Sequence, residues 1–301
     1  MREELLVNTE TSLSSRPAFM DQMIGNRAKL WKTLGGGILI LVIWQLTIAV
    51  IALLYPPLKN MVMGGPTAVD TKTEVMGALA LTIGGFGPAF LLLLAWRKGV
   101  EQAPIAGLFT AQPRFRWSLA AAAALTMSVF AMVSSALVDR DSLAPLNDRL
   151  ARLTGQEWAL MVTAFAIGFG VQATFEEVFV RGWLSQHVRR FVPWTFMVIL
   201  VTSAIFSLLH FGHSGWATYV VTFAFGILFG YSAWRLNGLE AAIGAHVANN
   251  FMSALVMGTL VSGNPAAMSV SEALAYGLYL AGFVGLVEVW ARFGPDRRRS
   301  D

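Results

Sequence analysis

The stretch LGGGILILVIWQLTIAVIALL, residues 34–54, carries no charged side chain anywhere along its length. A helix rises about 1.5 Å per residue, so a run of roughly 20 apolar residues matches the hydrocarbon layer of a bilayer. Seven further runs read the same way: residues 75–96, 117–138, 158–180, 193–211, 216–234, 239–259 and 273–293. Turn-forming stretches separate them, among them YPPLKN (55–60), DRDSLAPLND (139–148), FGHSG (211–215), RLNG (235–238) and SGNPAA (262–267). The expected fold is therefore all-α, a polytopic membrane protein with a bundle of about eight transmembrane helices.

Composition agrees. Hydrophobic residues make up 55% of the chain and charged residues only 13%, whereas a soluble domain is about one quarter charged. A net charge of +4 suggests nucleic acid at first sight, but the basic residues sit between apolar runs, as Arg97/Lys98, Arg114/Arg116, Arg189/Arg190 and Arg297/Arg298/Arg299. That is how cytoplasmic loops are marked, so the partner is the lipid bilayer and no nucleic acid is expected. The loop after the third run, with Arg140, Arg149 and Arg152, departs from the pattern; its residues 143–153 read as a short amphipathic interfacial helix. Cysteine is absent, which excludes disulfides and thiol chemistry. The chain divides into a cytoplasmic tail (1–33), three plain helices with their loops (34–157), a polar-bearing core (158–259), and a last helix with a basic tail (260–301). The tail lacks the apolar stretch of a signal peptide. Multi-pass insertion in a bacterial inner membrane, both termini cytoplasmic, is the expected location.

Ionisable residues inside apolar helices cost several kcal/mol and so call for a partner or a task. QATFEEVFVRGW (172–183) holds Glu176, Glu177 and Arg181. Glu177 and Arg181 stand four apart with the acid first, the favoured order for a helical ion pair. Glu176 is left about 100° round the helix, a candidate base. Phe206 and His210 share a face near the end of the fifth run. His246 and Asn250 share a face of the seventh, with Asn249 turned elsewhere as a candidate for interhelical hydrogen bonding. GHSG (212–215) resembles the setting of a rhomboid serine nucleophile at Ser214, although glycine and serine are also what a tight turn needs.

Glu176 and His210 are each about 25 Å from the turn near Pro193, and His246 is roughly 15 Å past the turn at Asn237–Gly238. The three meet at one level if the first hairpin projects about 10 Å further.

Glu176-Glu177-x-x-x-Arg181, Phe206-x-x-x-His210 and His246-x-x-x-Asn250, in this order, resemble the three motifs of the CAAX protease and bacteriocin-processing family. These are intramembrane endopeptidases, and the type II CAAX prenyl endopeptidase is among them. The resemblance covers about residues 158–257. It implies an eight-helix bundle that hydrolyses peptide bonds in a membrane-associated or lipidated peptide or protein. By the family pattern, Glu176 with His210 activates a water, His246 and Asn250 stabilise the oxyanion, and Glu177 pairs with Arg181. A metal-free site is favoured; the alternative is a divalent metal such as zinc on Glu176, His210 and His246. Two other readings stay open at this level: an ion- or proton-coupled transporter, and a rhomboid-like serine protease using Ser214.

Overall fold

The computed structural model describes residues 17–26, 30–55, 70–138, 140–210, 216–256 and 270–295. The chain is an all-α integral membrane protein. Helix α1 spans Leu30–Leu54. A second continuous rod is built from α2 (Thr71–Leu79), a π-helical stretch (Ala80–Gly85) and α3 (Phe86–Gly99). Helix α4 (Trp117–Val138) is followed by the short α5 (Ala144–Arg152). A fourth long rod joins α6 (Gly155–Glu177), a second π-helical stretch (Val178–Leu184) and α7 (Ser185–Val188). Then come α8 (Thr195–Leu208), α9 (Trp216–Arg235), α10 (Glu240–Val256) and α11 (Val270–Phe293). The eight expected runs thus correspond to eight continuous helical rods among the described residues. Four of these are long and apolar enough to cross a membrane by length and composition: Trp31–Leu54, Thr71–Gly99, Trp117–Leu137 and Gly155–Val188.

Helix starts follow local chemistry. Thr154 Oγ1 accepts from the backbone N–H of Glu157, and the Glu157 carboxylate accepts from the backbone N–H of Thr154, a complete capping box for α6. Asp70 caps α2 by accepting from the N–H of Thr73.

Packing around α10 depends on small residues. A Cβ on Gly244 would lie 2.0 Å from the carbonyl oxygen of Ala120, so α4 and α10 touch backbone to backbone there. Ala123, Ala241, Ala245 and Ala248 line the same buried contact. Small residues are how membrane helices gain close van der Waals contact. The alanine run of α4, plain to read, is what lets α10 come this close.

Residues 17–26 pack against the bundle. Phe19, Met20 and Met23 are buried. The Phe19 N–H donates to Asn237 Oδ1, Asp21 pairs with Arg189, and Asn26 Nδ2 donates to the Glu101 carbonyl. Residues 17–26 therefore plug one end of the bundle. Beneath them lies a buried polar network. Glu101 accepts from Trp183 Nε1, His187 Nε2 and Arg97 Nη1, and Arg97 Nη2 donates to Gln186 Oε1. At the opposite end α5 is tied into the bundle. Arg149 is buried, pairs with Glu74 of α2, and donates to the Ala254 and Leu255 carbonyls near the end of α10.

Candidate active site

Helix α6 changes from α to π immediately after Glu177. Ser185 marks the wider turn: its backbone N–H reaches the Val180 carbonyl five residues back, and its hydroxyl donates to the same oxygen. Such π turns are rare, and many sit at functional sites. One face of this rod is an aromatic column. Phe175 stacks on Phe179 at 5.8 Å and Phe179 on Trp183 at 5.6 Å, with His187 beyond. Glu177 and Arg181 project from another face into the bundle. Gly182 sits where the rod crosses the loop at residues 105–111. A Cβ there would be 2.3 Å from the Leu108 carbonyl oxygen and 3.4 Å from Leu239.

That crossing fixes depth. Gly182 is level with Leu239, at the start of α10, so Glu176 and His246 lie about six and seven residues beyond one level, roughly 10 Å each. The rod from Gly182 to Val188 then projects about 9 Å past the turn that precedes α10. The projection that convergence requires is present. Gln186, on the projecting end, is fully buried and donates to the Gly107 carbonyl.

Four ionisable side chains meet. Arg181 Nη1 donates to Glu177 Oε1 at 2.8 Å, with exposures of 1% and 0% for the two residues. His246 Nδ1 donates to the same Glu177 oxygen at 2.8 Å. His246 Nε2 lies 3.4 Å from Glu176 Oε2. Glu177 thus holds both Arg181 and His246, and His246 is bracketed by two carboxylates. Glu176 is not left over: besides His246, it accepts from Gln172 Nε2 at 3.4 Å. Gln172, one helical turn before Glu176, was legible in the sequence by its spacing but carried no motif. Glu177 Oε2 and Arg181 Nη2 are buried without a hydrogen-bond partner among the described residues.

Phe206 is the hub of the cluster. Its ring lies 4.3 Å below the Arg181 guanidinium, 4.8 Å from His210 and 6.2 Å from His246. Phe229 of α9 stacks on His246 at 5.4 Å and also faces Arg181. His210 lies two residues past the end of α8. Its Nδ1 donates to the Phe206 carbonyl at 2.9 Å, which makes Nε2 the acceptor nitrogen of the neutral ring. Helix α8 has 14 residues, about 21 Å, short of a bilayer core of about 30 Å. His210, near the end of the fifth run, is half-buried beside the Phe206 ring.

On α10, Asn250 accepts at Oδ1 from Asn249 Nδ2 at 3.0 Å. Asn249 Oδ1 in turn accepts from the Tyr279 hydroxyl of α11 at 3.0 Å. The expected interhelical role of Asn249 is thus present, with an additional bond back to Asn250. Tyr279 itself had no signal in the sequence.

Among the described residues, no group of three or more His, Asp or Glu side chains is placed to hold a metal ion. Glu176 and His246 are neighbours, while His210 joins them through the Phe206 ring, so the set Glu176, His210 and His246 does not form a three-ligand cage in this arrangement. Ser214 and the rest of GHSG lie outside the described residues.

Residues 155–252 match the family model described as Type II CAAX prenyl endopeptidase Rce1-like. No curated protein and no solved structure matches the chain. The matched segment begins with the first residue of α6 and ends on α10, so it contains every side chain of the cluster above except Tyr279.

Proposed function

We propose, from this chain's place in the CAAX protease and bacteriocin-processing family, that it is an intramembrane endopeptidase in which Glu176 activates the hydrolytic water. The observation that carries this reading is the bracketing of His246 by Glu176 and Glu177, beside Arg181 and above Phe206, in a buried site.

Charge balance supports the assignment. Buried charges must be compensated. Arg181 offsets Glu177, and one proton held between Glu176 and His246 makes the four groups neutral in total. With that proton on His246, Glu176 is a carboxylate beside an imidazolium. Glu176, with His210 Nε2 as a second acceptor, takes a proton from water as its oxygen bonds to the scissile carbonyl carbon. The carbonyl oxygen gains the electron pair of its π bond, and His246 Nε2–H and the Asn250 amide donate to that oxyanion. The pair returns as the C–N bond breaks, and Glu176 passes the proton to the leaving amine. Glu177 and Arg181 touch no reacting atom; Glu177 holds the orientation of the His246 ring. No step here is routed through a metal.

The substrate class we infer is a membrane-anchored peptide, with a prenylated C-terminal peptide as the first candidate. The assay is an internally quenched peptide ending in a farnesylated CAAX sequence, with purified protein in liposomes. Wild-type protein is expected to cleave it. Glu176→Ala should lose cleavage while remaining folded, His210→Ala nearly as much, and Asn250→Ala should lower kcat roughly 100-fold or more. Wild-type cleavage by Glu176→Ala would sink the reading. Activity that fails in a chelator and returns with zinc would move the mechanism to the metal alternative. Comparative peptidomics of cells carrying wild type or Glu176→Ala reports natural substrates. We place the protein in a bacterial inner membrane with both termini cytoplasmic. Because the chain has no cysteine, a Lys98→Cys variant tested with an impermeant maleimide reads this directly. Labelling from outside intact cells would reverse the topology.

A further inference from the structure

Asn250 donates to an oxyanion only if its amide nitrogen, not its oxygen, faces the reacting carbonyl. An asparagine side chain is nearly symmetric in shape, so something must set its polarity. Two bonds do so. Tyr279 hydroxyl, Asn249 amide and Asn250 amide form a chain with 3.0 Å at each link. The polarity of that chain starts at Tyr279. Its ring is buried, and a buried phenol O–H needs an acceptor, because leaving it unmade costs about 1–3 kcal/mol. Asn249 Oδ1 is that acceptor, so Asn249 Nδ2 is directed at Asn250, and Asn250 must meet it with Oδ1. The Asn250 Nδ2 donors are then turned away from Asn249. If both amides flipped, Asn250 would present an oxygen to the developing anion, and the Tyr279 proton would lose its acceptor.

We infer that Tyr279 and Asn249 are positioning residues that fix Asn250 as a hydrogen-bond donor. Tyr279 belongs to α11, outside the segment matched by the family model, so the last helix completes the site. This inference rests on the reading of Asn250 as an oxyanion donor. The effect is confined to the transition state, since the carbonyl gains most of its negative charge there. Tyr279→Phe keeps the ring and its packing against Phe225, and removes only the donor. Asn249→Asp keeps the acceptor for Tyr279 but has no N–H to offer Asn250.

The test combines spectroscopy and kinetics on the full-length protein in lipid nanodiscs. Selective [15N]asparagine labelling reports the side-chain amides, assigned by Asn249→Ala and Asn250→Ala. Tyr279→Phe should shift or broaden the Asn249 and Asn250 side-chain signals together and leave the other asparagines unmoved. With the farnesylated quenched peptide, Tyr279→Phe and Asn249→Asp should each lower kcat about tenfold with KM unchanged, less than the loss from Asn250→Ala. Asn250→Ala combined with Tyr279→Phe should be no slower than Asn250→Ala alone, as residues acting through one group are not additive. An unmoved Asn250 signal in Tyr279→Phe overturns the relay whether or not any peptide is cleaved. Wild-type kcat in Tyr279→Phe alongside a large loss in Asn250→Ala overturns the relay and leaves Asn250 standing. Wild-type kcat in Asn250→Ala overturns the oxyanion reading and the relay with it.

Discussion

Replacing Arg181 by methionine removes a guanidinium that is 1% exposed and bonded to Glu177 at 2.8 Å. The Glu177 carboxylate, wholly buried, then keeps only His246 Nδ1. Removing one partner of a buried ion pair costs about 3–5 kcal/mol, because the other charge is stranded. A further contribution of about 1 kcal/mol goes with the cation–π contact to Phe206 at 4.3 Å. Adding Glu177→Gln removes the stranded charge while keeping an oxygen for His246 Nδ1. The double variant should therefore recover most of the loss and sit about 1–2 kcal/mol below wild type, the residue being mainly the lost cation–π contact. Glu177→Gln alone strands Arg181 at about 3–5 kcal/mol, so the coupling energy expected from the cycle is about 5 kcal/mol or more. Reversible unfolding in mixed micelles, followed by the intrinsic tryptophan fluorescence, measures all four species. A double variant whose loss equals the sum of the two single losses would refute the account of Arg181 and Glu177 as a mutually compensated pair.

Two other outcomes follow from the architecture. Gly244→Ala places a methyl group 2.0 Å from the Ala120 carbonyl oxygen, so α10 must move away from α4, at about 3 kcal/mol. His246 is two residues on, so thermal unfolding and peptide cleavage should both suffer; an unchanged melting temperature would refute the close approach. Glu101 gives a pH dependence. Burial pushes its carboxyl up, but His187, the Trp183 indole N–H and Arg97 together outweigh this and hold it below the ordinary 4.5. A lowered folded-state value means that Glu101 contributes stability above about pH 4.5 and loses it as pH falls through the lower folded value. Wild type should therefore lose stability more steeply than Glu101→Gln as pH falls below about 4.5. Parallel melting curves would show that Glu101 is not the group responsible.

The sequence by itself determined the membrane fold and most of the cluster. Apolar runs such as residues 34–54 admit only helices in a bilayer, since every backbone polar group must be satisfied within its own segment. Glu176, Glu177, Arg181, His210, His246 and Asn250 stood out because ionisable and amide groups are costly in such surroundings, and Phe206 only because it shares a face with His210. The Glu177–Arg181 pair was legible because its spacing is local.

Tertiary structure decided the rest. No local rule places His246 between two carboxylates, because that contact joins residues 69 positions apart. The π turn after Glu177 depends on what packs round the rod, as at Gly182 against Leu108, not on the propensity of VFVRGWL. Helix α8 ends at Leu208, although its apolar run read on to residue 211, and His210 is half-buried beside the Phe206 ring. Tyr279 matters only because α11 brings it to Asn249, and a tyrosine in an apolar helix carries no mark of that in one dimension. Composition and periodicity report what each segment must bury; which polar groups then face one another is fixed by how the helices cross.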